Sequence, residues 1–272
     1  MYRQAARSWG QLHIRRLAMK KGNEAFKKKE TDWAFRVTAA ILAPIIRLLY
    51  NVKTTGMENL PKGGYILVGN HVSYLDPFAF AYSVYIHMKR VPHYLAKESI
   101  FRIPIIGKIL PHVGQIPVYR SGKSNQEPLR EAKRYLAAGQ VMVVFPEGTL
   151  TRDPDLWPMR GKGGAIRLAI ELGLPVVPAA HWGVEKVLGN YSKKFRPNPF
   201  HTVNVKIGKP MRFDHLSKDG LTNQELFDAT DQIMQEVAKL VGQMRGLTPP
   251  KKLWDPTNSG QTETGNFRKD KN

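Results

Sequence analysis

A histidine and an aspartate lie five positions apart in residues 70–77, which read NHVSYLDP. Five steps of about 100° along a continuous α-helix would place His71 and Asp76 on different faces, so a direct contact between them needs a turn. The sequence provides one, because the apolar run 65–69 predicts a buried strand and Asp76-Pro77 is typical of a helix start, with aspartate as N-cap. We therefore expect His71 on a loop after a strand, where a carboxylate can orient its imidazole as a general base.

Both residues also have a purely structural interpretation. Asp76 could serve only as a helix cap, and a single histidine is usually an ordinary surface or core residue. The choice between these interpretations depends on which other motifs accompany the pair.

Other segments place residues suited to ligand binding at the ends of predicted strands. Residues 114–120 (GQIPVYR) predict a short strand with Arg120 at its carboxyl end, and the planar guanidinium of arginine is suited to binding a phosphate. Residues 141–149 (VMVVFPEGT) end in a loop with Glu147, which can accept hydrogen bonds from hydroxyl groups or hold an arginine, and 174–178 (LPVVP) fit a core strand. Taken alone, an arginine at a strand end is usually a surface charge, and a Pro-Glu-Gly triplet is usually a turn. Together they lie where open α/β sheets bind ligands, at the carboxyl ends of strands.

The four segments resemble, in order and approximate spacing, the motifs of the glycerolipid acyltransferase family, and the resemblance covers about residues 52–210. The HX4D pattern with its preceding asparagine is met by Asn70, His71 and Asp76. The family's G-x-I-x-V-x-R is met by Gly114, Ile116, Val118 and Arg120, and its F-P-E-G-T-R-S by residues 145–149. The sequence departs from the pattern at Tyr119, where aspartate is frequent, and at Leu150, where arginine is expected.

The resemblance implies a 1-acylglycerol-3-phosphate O-acyltransferase of phospholipid biosynthesis. Such an enzyme moves a fatty acyl group from acyl-coenzyme A or acyl-carrier protein to the free hydroxyl of 1-acylglycerol 3-phosphate, giving phosphatidate, and needs no cofactor and no metal. Acylation of glycerol 3-phosphate or another lysophospholipid is the nearest alternative. The implied catalytic residues are His71 and Asp76, and the implied substrate-binding residues are Asn70, Ser73, Lys97, Arg120, Glu147, Gly148, Thr149, Arg152 and Lys162.

Within this set, we expect Arg120 to hold the acceptor phosphate, and Glu147 with Gly148 to shape the glycerol site. Because Leu150 replaces the family's arginine, we predict that Arg152 supplies that positive charge two residues later. The alternative is that Arg120 alone holds the phosphate and Arg152 faces solvent.

Composition limits the class of protein. A chain of 272 residues with 42% apolar content can bury one substantial core. The absence of cysteine excludes disulfides and a thiol nucleophile, and fits a reducing compartment. A formal charge of +20 indicates anionic partners. A basic nucleic-acid-binding protein is the alternative from another class, but no binding module is recognisable, so we expect no nucleic acid as a partner.

The basic residues are concentrated in a predicted N-terminal arm, 1–30, which precedes an apolar segment at 31–50. That segment carries Arg36, Pro44 and Arg47, and a central arginine costs roughly 2.5–3.5 kcal/mol in a membrane-spanning helix. The sequence therefore favours an amphipathic helix on an anionic phospholipid membrane, with the protein peripheral or monotopic on the cytoplasmic side of the cell membrane. An ordinary packing helix remains the alternative.

From residue 51 to 247, apolar runs alternate with helical stretches, which predicts an α/β domain with a mixed, largely parallel sheet covered by helices. A polar, disordered tail is expected from Thr248 to the end of the chain. The predicted strands are 65–68, 92–96, 115–119, 141–145, 175–180 and 202–207, and the predicted helices are 77–89, 126–138, 163–172 and 222–245.

Overall fold

The computed structural model describes residues 33–118 and 126–261. Within these residues, a sheet of seven strands has the order β1-β7-β6-β2-β5-β3-β4. All neighbouring strands are parallel except β6 and β7, which are antiparallel. The strands are β1 (Asn51–Thr55), β2 (Tyr65–Val68), β3 (Pro92–Lys97), β4 (Ile116–Val118), β5 (Val141–Val144), β6 (Val176–Trp182) and β7 (Thr202–Ile207).

Helices cover both faces of the sheet, which explains why β2 is apolar throughout rather than alternating. The helices in the described residues are α1 (Trp33–Leu49), α2 (Asp76–Tyr82, continued by a π-helical turn, Ser83–His87), α3 (Ile106–His112), α4 (Gln126–Ala137), α5 (Gly164–Leu172), α6 (Val184–Val187) and α7 (Asn223–Arg245). Tyr65 and Leu67 belong to a core with α1 and α2, whereas Ile66 and Val68 belong to a core with α4, α5 and α7. All four side chains are fully buried.

The predicted α/β class with a largely parallel sheet is confirmed. The predicted helix 222–245 is present as α7, and it begins at a capping box in which Thr222 Oγ1 accepts from the Glu225 amide at 3.2 Å and Glu225 accepts from the Thr222 amide at 2.9 Å. Three elements were not predicted, β1, α3 and the single-turn helix α6 (Val184–Val187). In β1 only Val52 is buried, so this edge strand has little apolar signal, and α3 contains Pro111, a residue that opposes helix formation.

The direction of the strands determines which loops meet. Trp182, at the end of β6, pairs with Asn204 near the start of β7, and Asn51 at the start of β1 pairs with Thr202. The start of β1, and with it the end of α1, therefore lies at the edge of the sheet where β2, β3, β5 and β6 end. We call this edge the site edge, because the loop that carries His71 follows β2 there.

The chain after α7 packs against the domain. Leu253 is buried in the same core as α7, the Arg160 amide donates to the Trp254 carbonyl at 2.9 Å, and the Arg160 guanidinium pairs with Asp255 at 2.8 Å. The expected disordered tail therefore does not begin at Thr248, and its predicted start reflected only the local polar composition. The rest of the predicted tail, 262–272, and the predicted basic arm lie outside the described residues.

None of the described helices is long and apolar enough to cross a bilayer. The helix expected within 31–50 is present as α1, and Pro44 lies inside it.

The packing of the segment after α7 can be tested with a pair of leucines. Leu253→Ala should lower the free energy of unfolding by about 2–4 kcal/mol, because it removes buried methyl groups from a packed core. Leu247→Ala, at a position that is 51% exposed, should change it by less than about 0.5 kcal/mol. Urea unfolding curves of both variants measure the difference, and equal effects would show that the segment does not pack as described.

Candidate active site

The loop after β2 folds so that His71 and Asp76 meet. His71 Nδ1 lies 2.9 Å from Asp76 Oδ2, and the same oxygen accepts from the amides of Val72 at 2.6 Å and Ser73 at 2.8 Å. The Asp76 side chain is fully buried, whereas the His71 side chain is 17% exposed. A buried carboxylate thus holds an imidazole that solvent can still reach.

The position of Asp76 differs from the sequence expectation in one respect. The residue begins α2, but Leu75 is the N-cap and it makes no side-chain capping bond. The Asp76 carboxylate instead turns back onto the preceding loop. The alternative in which Asp76 only caps a helix is therefore not what the structure shows, and the carboxylate is used to shape the loop around His71.

A second segment, after β5, fixes the backbone of His71 on both sides. The His71 amide donates to Glu147 Oε1 at 2.8 Å, and the Thr151 amide donates to the His71 carbonyl at 2.6 Å. The His71 ring also stacks on Phe145, with centroids 4.5 Å apart. The order of β2 and β5 as neighbours in the sheet brings these two segments together.

Glu147 acts as a bridge between loops. Its other oxygen, Oε2, accepts from the Met159 amide at 3.1 Å, and its side chain is buried. Burial raises the pKa of this carboxyl well above its usual range, and the two backbone hydrogen bonds only partly oppose that effect. Through these contacts, Glu147 holds the backbone of His71 in place.

His181, which none of the sequence motifs includes, contacts Asp76 from the side opposite His71. Its Nε2 lies 3.3 Å from Asp76 Oδ1, its side chain is fully buried, and its ring meets Phe80 edge-on. Asn70 holds the His181 backbone, accepting from its amide at 2.9 Å and donating to its carbonyl at 3.1 Å. The signal available in the sequence was a lone histidine in an apolar strand (VVPAAHW), where a buried imidazole needs a partner.

The three side chains influence each other's ionisation. Burial acts to raise the pKa of Asp76, but the neighbouring His181 and the hydrogen bond from His71 outweigh it and lower the pKa to about 2. Burial acts to lower the pKa of His181, but Asp76 outweighs it and raises the pKa. An ionised carboxylate can only accept hydrogen bonds, so the proton between His71 and Asp76 belongs to Nδ1. In neutral His71 this leaves Nε2 with a lone pair.

Two residues expected to bind substrate are used inside the protein instead. Asn70 and Ser73 are both fully buried. Asn70 is committed to His181, and Ser73 Oγ accepts from the Leu75 amide at 3.2 Å. These contacts correct the expectation that Asn70 and Ser73 bind substrate. The physical reason is that both side chains point into the loop rather than toward a ligand.

Other predicted residues lie around the loop that follows Glu147. Gly148 has a φ of 69°, a left-handed conformation, and a Cβ built there would meet the Lys162 side chain at 3.7 Å. Thr149 Oγ1 lies 3.2 Å from the Tyr191 hydroxyl. Lys162 and Glu147 also line a cavity of about 270 Å³ that reaches to the start of α7. Lys162 is thereby placed close to the loop that supports His71.

The remaining basic residues differ in exposure. Lys97 ends β3 at the site edge and is exposed. Arg152 is only 2% exposed, so the alternative in which it faces solvent is wrong, and its contact with a phosphate stays a prediction. Arg120 lies outside the described residues. Within the described residues, no cluster of three or more histidine or acidic side chains is arranged to hold a metal ion.

The buried carboxylate predicts a specific dependence of stability on pH. The pKa of Asp76 falls on folding from 3.8 to about 2, so its contribution is present above about pH 4 and is lost as the pH falls toward 2. Over this window, the natural protein should lose roughly 2 kcal/mol more unfolding free energy than Asp76→Asn. Urea unfolding at a series of pH values measures the slopes. Asp219→Asn, at an exposed position, should keep the natural slope, and the same slope in Asp76→Asn would contradict the assignment.

Comparison with known proteins shows which sequences this chain resembles. The family described as Acyltransferase matches residues 51–182. A chloroplastic 1-acyl-sn-glycerol-3-phosphate acyltransferase of Brassica napus, BAT2, is 31% identical over 165 residues, which are 60% of this chain and 45% of that protein. The 1-acyl-sn-glycerol-3-phosphate acyltransferase of Borreliella burgdorferi is 35% identical over 127 residues, covering 46% of this chain and 48% of that protein. The chain thus spans about half the length of these curated relatives.

The fold has a counterpart among solved structures. The crystal structure of the 1-acyl-sn-glycerophosphate acyltransferase PlsC from Thermotoga maritima matches with a TM-score of 0.54 at 23% identity, covering 89% of this chain and 85% of that one. This likeness concerns the fold. The likeness to the acyltransferase family in sequence is carried by residues 51–182.

Proposed function

We propose that the protein transfers a fatty acyl group from an acyl thioester, acyl-coenzyme A or acyl-carrier protein, to the free hydroxyl of 1-acylglycerol 3-phosphate, giving phosphatidate. The observation that carries the proposal is the 2.9 Å contact between His71 Nδ1 and the buried Asp76 carboxylate, which lie within the residues that match the family. The choice of 1-acylglycerol 3-phosphate as the acceptor is supported by the relatives named as 1-acyl-sn-glycerol-3-phosphate acyltransferases. Glycerol 3-phosphate and other lysophospholipids are the alternative acceptors.

The reaction uses His71 twice. Nε2 takes the proton of the acceptor hydroxyl as its oxygen attacks the thioester carbonyl, and a tetrahedral intermediate forms. When this intermediate collapses, the carbon–sulfur bond breaks and the imidazolium returns the proton to the departing thiolate. The products are the new ester and a free thiol, and no covalent intermediate on the enzyme is required.

Asp76 makes this cycle easier by stabilising the charged form of His71. Its carboxylate is buried, so its attraction to the imidazolium is weakened little by solvent. The amides of Val72 and Ser73 fix the carboxylate, which keeps the imidazole in one orientation. The Glu147 bridge holds the backbone of His71 in place at the same time.

The acceptor phosphate needs positive charge near the loop after β5. Lys162 lies against Gly148, Arg152 is two residues beyond Leu150, and Lys97 is exposed at the end of the neighbouring strand β3. We propose that these three residues and Arg120 supply the phosphate contacts. Gly148 and Thr149 then shape the site for the glycerol part of the acceptor.

The lipid substrates imply a membrane surface, and α1 supports this placement. One side of α1 packs into the core through Leu42, Ile46 and Leu49, while a row of apolar side chains on the helix is exposed. The two alternatives for this segment, packing and interfacial, are therefore compatible. We propose that α1 lies on an anionic phospholipid membrane at its cytoplasmic side, as part of a peripheral or monotopic protein. The exposed row consists of Val37, Ile41, Ile45 and Leu48.

Loss of the general base is the direct test of the reaction. His71→Ala should lower kcat by about two to four orders of magnitude, because the acceptor hydroxyl loses its proton acceptor. The assay uses labelled acyl-coenzyme A with a panel of acceptors, followed by product analysis. His215→Ala, at an exposed position after β7, is the matched control and should keep full activity. Turnover near the natural rate in folded His71→Ala would refute the mechanism.

The role of Arg152 can be separated from that of the dyad. A charge-assisted contact with phosphate is worth roughly 1.5–3 kcal/mol, so Arg152→Ala should raise the acceptor KM about tenfold or more and leave the acyl-donor KM nearly unchanged. Arg152→Lys should restore part of the loss, and Arg196→Ala, at an exposed position, should have no effect. An unchanged acceptor KM in folded Arg152→Ala would place the phosphate elsewhere, with Arg160 and Lys162 next to be tested.

A further inference from the structure

The segment between β3 and β4 exposes an unusual amount of apolar surface for its length. Its isoleucines are 40–72% exposed, with Ile105 the most exposed of them. Single exposed apolar residues are normal on a protein, but a contiguous group marks an interaction site. We call the group the isoleucine patch, and it consists of Ile100, Ile103, Ile105, Ile106 and Ile109.

The backbone holds this patch in an outward position. Ile105 has φ 69° and ψ −61°, and the Ile106 amide donates to the Pro104 carbonyl at 2.8 Å, which together define a classic γ-turn. Such a turn is rare and strained, most of all for a β-branched residue. Gly107 lets the chain fold tightly behind it, because a Cβ there would lie 1.9 Å from the Phe101 carbonyl oxygen. The fold thus presents Ile105 to the outside at an energetic cost.

Basic residues occur within and beside the patch in the sequence. Lys97 and Lys108 are exposed, and Arg102 is exposed while paired with Glu98 at 2.6 Å. An apolar protrusion bordered by basic side chains matches the boundary between acyl chains and headgroups of an anionic bilayer, where apolar groups are buried and cations attract phosphates. The charge of the patch region therefore favours lipid over an apolar protein surface.

The segment that carries the patch begins at the site edge. It follows the carboxyl end of β3, and β3, β5 and β2 are parallel neighbours, so its start is on the same edge as His71. The exposed residue Leu48, near the end of α1, adjoins the start of β1 at this edge. In the strand order, β1 and β3 are separated by five spacings, about 24 Å, and β2 lies between them.

We propose that the isoleucine patch inserts into an anionic phospholipid bilayer as a second lipid contact, separate from α1. With one contact on each side of β2, the bilayer surface passes over the loop of His71. A lipid acceptor could then reach the imidazole without leaving the interface. The inference rests on the proposed function for its biological purpose. Insertion itself involves no acyl transfer, so it is tested without an activity assay.

The absence of cysteine makes the test direct. Ile105→Cys introduces a single thiol that can carry an environment-sensitive fluorophore in the full chain, and Met57→Cys is the matched control. Met57 is 41% exposed and follows β1 at the opposite edge of the sheet. Vesicles of equal parts phosphatidylcholine and phosphatidylglycerol should shift the emission at position 105 to the blue and leave position 57 unchanged. A lipid-bound quencher should reach only the label at position 105.

A second measurement gives the size of the contact. The double change Ile105→Ser and Ile106→Ser should weaken sedimentation with the same vesicles at least about tenfold, since apolar area is no longer buried in lipid. Met57→Ser should leave the binding unchanged. Lys108→Gln should weaken binding to these vesicles but not to phosphatidylcholine alone.

The outcomes are distinct from those of the activity assays. An unshifted label at position 105 on protein that sediments with the vesicles would overturn the proposal. A shift that appears with rising protein concentration and no vesicles would also overturn it, in favour of contact between copies of the chain. Insertion by a chain that lacks acyltransferase activity would support the patch and contradict the proposed function.

Discussion

The structure of the candidate site depends on one buried carboxylate. Asp76 is removed from solvent, yet its two oxygens meet two backbone amides and two imidazoles. These contacts compensate the negative charge at both oxygens. Burying a carboxylate without such partners would cost several kcal/mol and would favour its neutral form. With them the pKa is lowered to about 2. The charge that orients His71 is thus a consequence of how the loop folds around it.

The second constraint is the geometry of the parallel sheet. Since β2 and β5 are neighbours and point the same way, the loop of His71 and the loop of Glu147 meet at one edge, and the Glu147 carboxylate bridges them. Since β6 flanks β2 on the other side, its last residues bring His181 behind Asp76. The site is therefore assembled from three strand ends, and none of the three segments would hold His71 in place by itself.

This assembly explains what could be predicted from sequence. The contact of His71 with Asp76 is local, and strand and turn signals over a few residues are enough to expect it. His181 is 110 positions from His71, and only the order of strands in the sheet reveals that the two share a carboxylate. A motif also lists residues without showing which way they point, which is why Asn70 and Ser73 were expected at a substrate and are found inside. In the same way, the polar composition after Thr248 hid Leu253, whose burial depends on α7.

The central claim is that Asp76 holds the proton of His71 on Nδ1 and so leaves Nε2 to act as the base. It can be tested by ¹⁵N NMR of histidine-labelled protein, with His71 assigned by its loss in His71→Gln. At about pH 8, the account predicts a protonated Nδ1 and an unprotonated Nε2 for His71, and a shift toward protonated Nε2 in Asp76→Asn. A His71 in the natural protein that carries its proton on Nε2 at this pH would contradict the account.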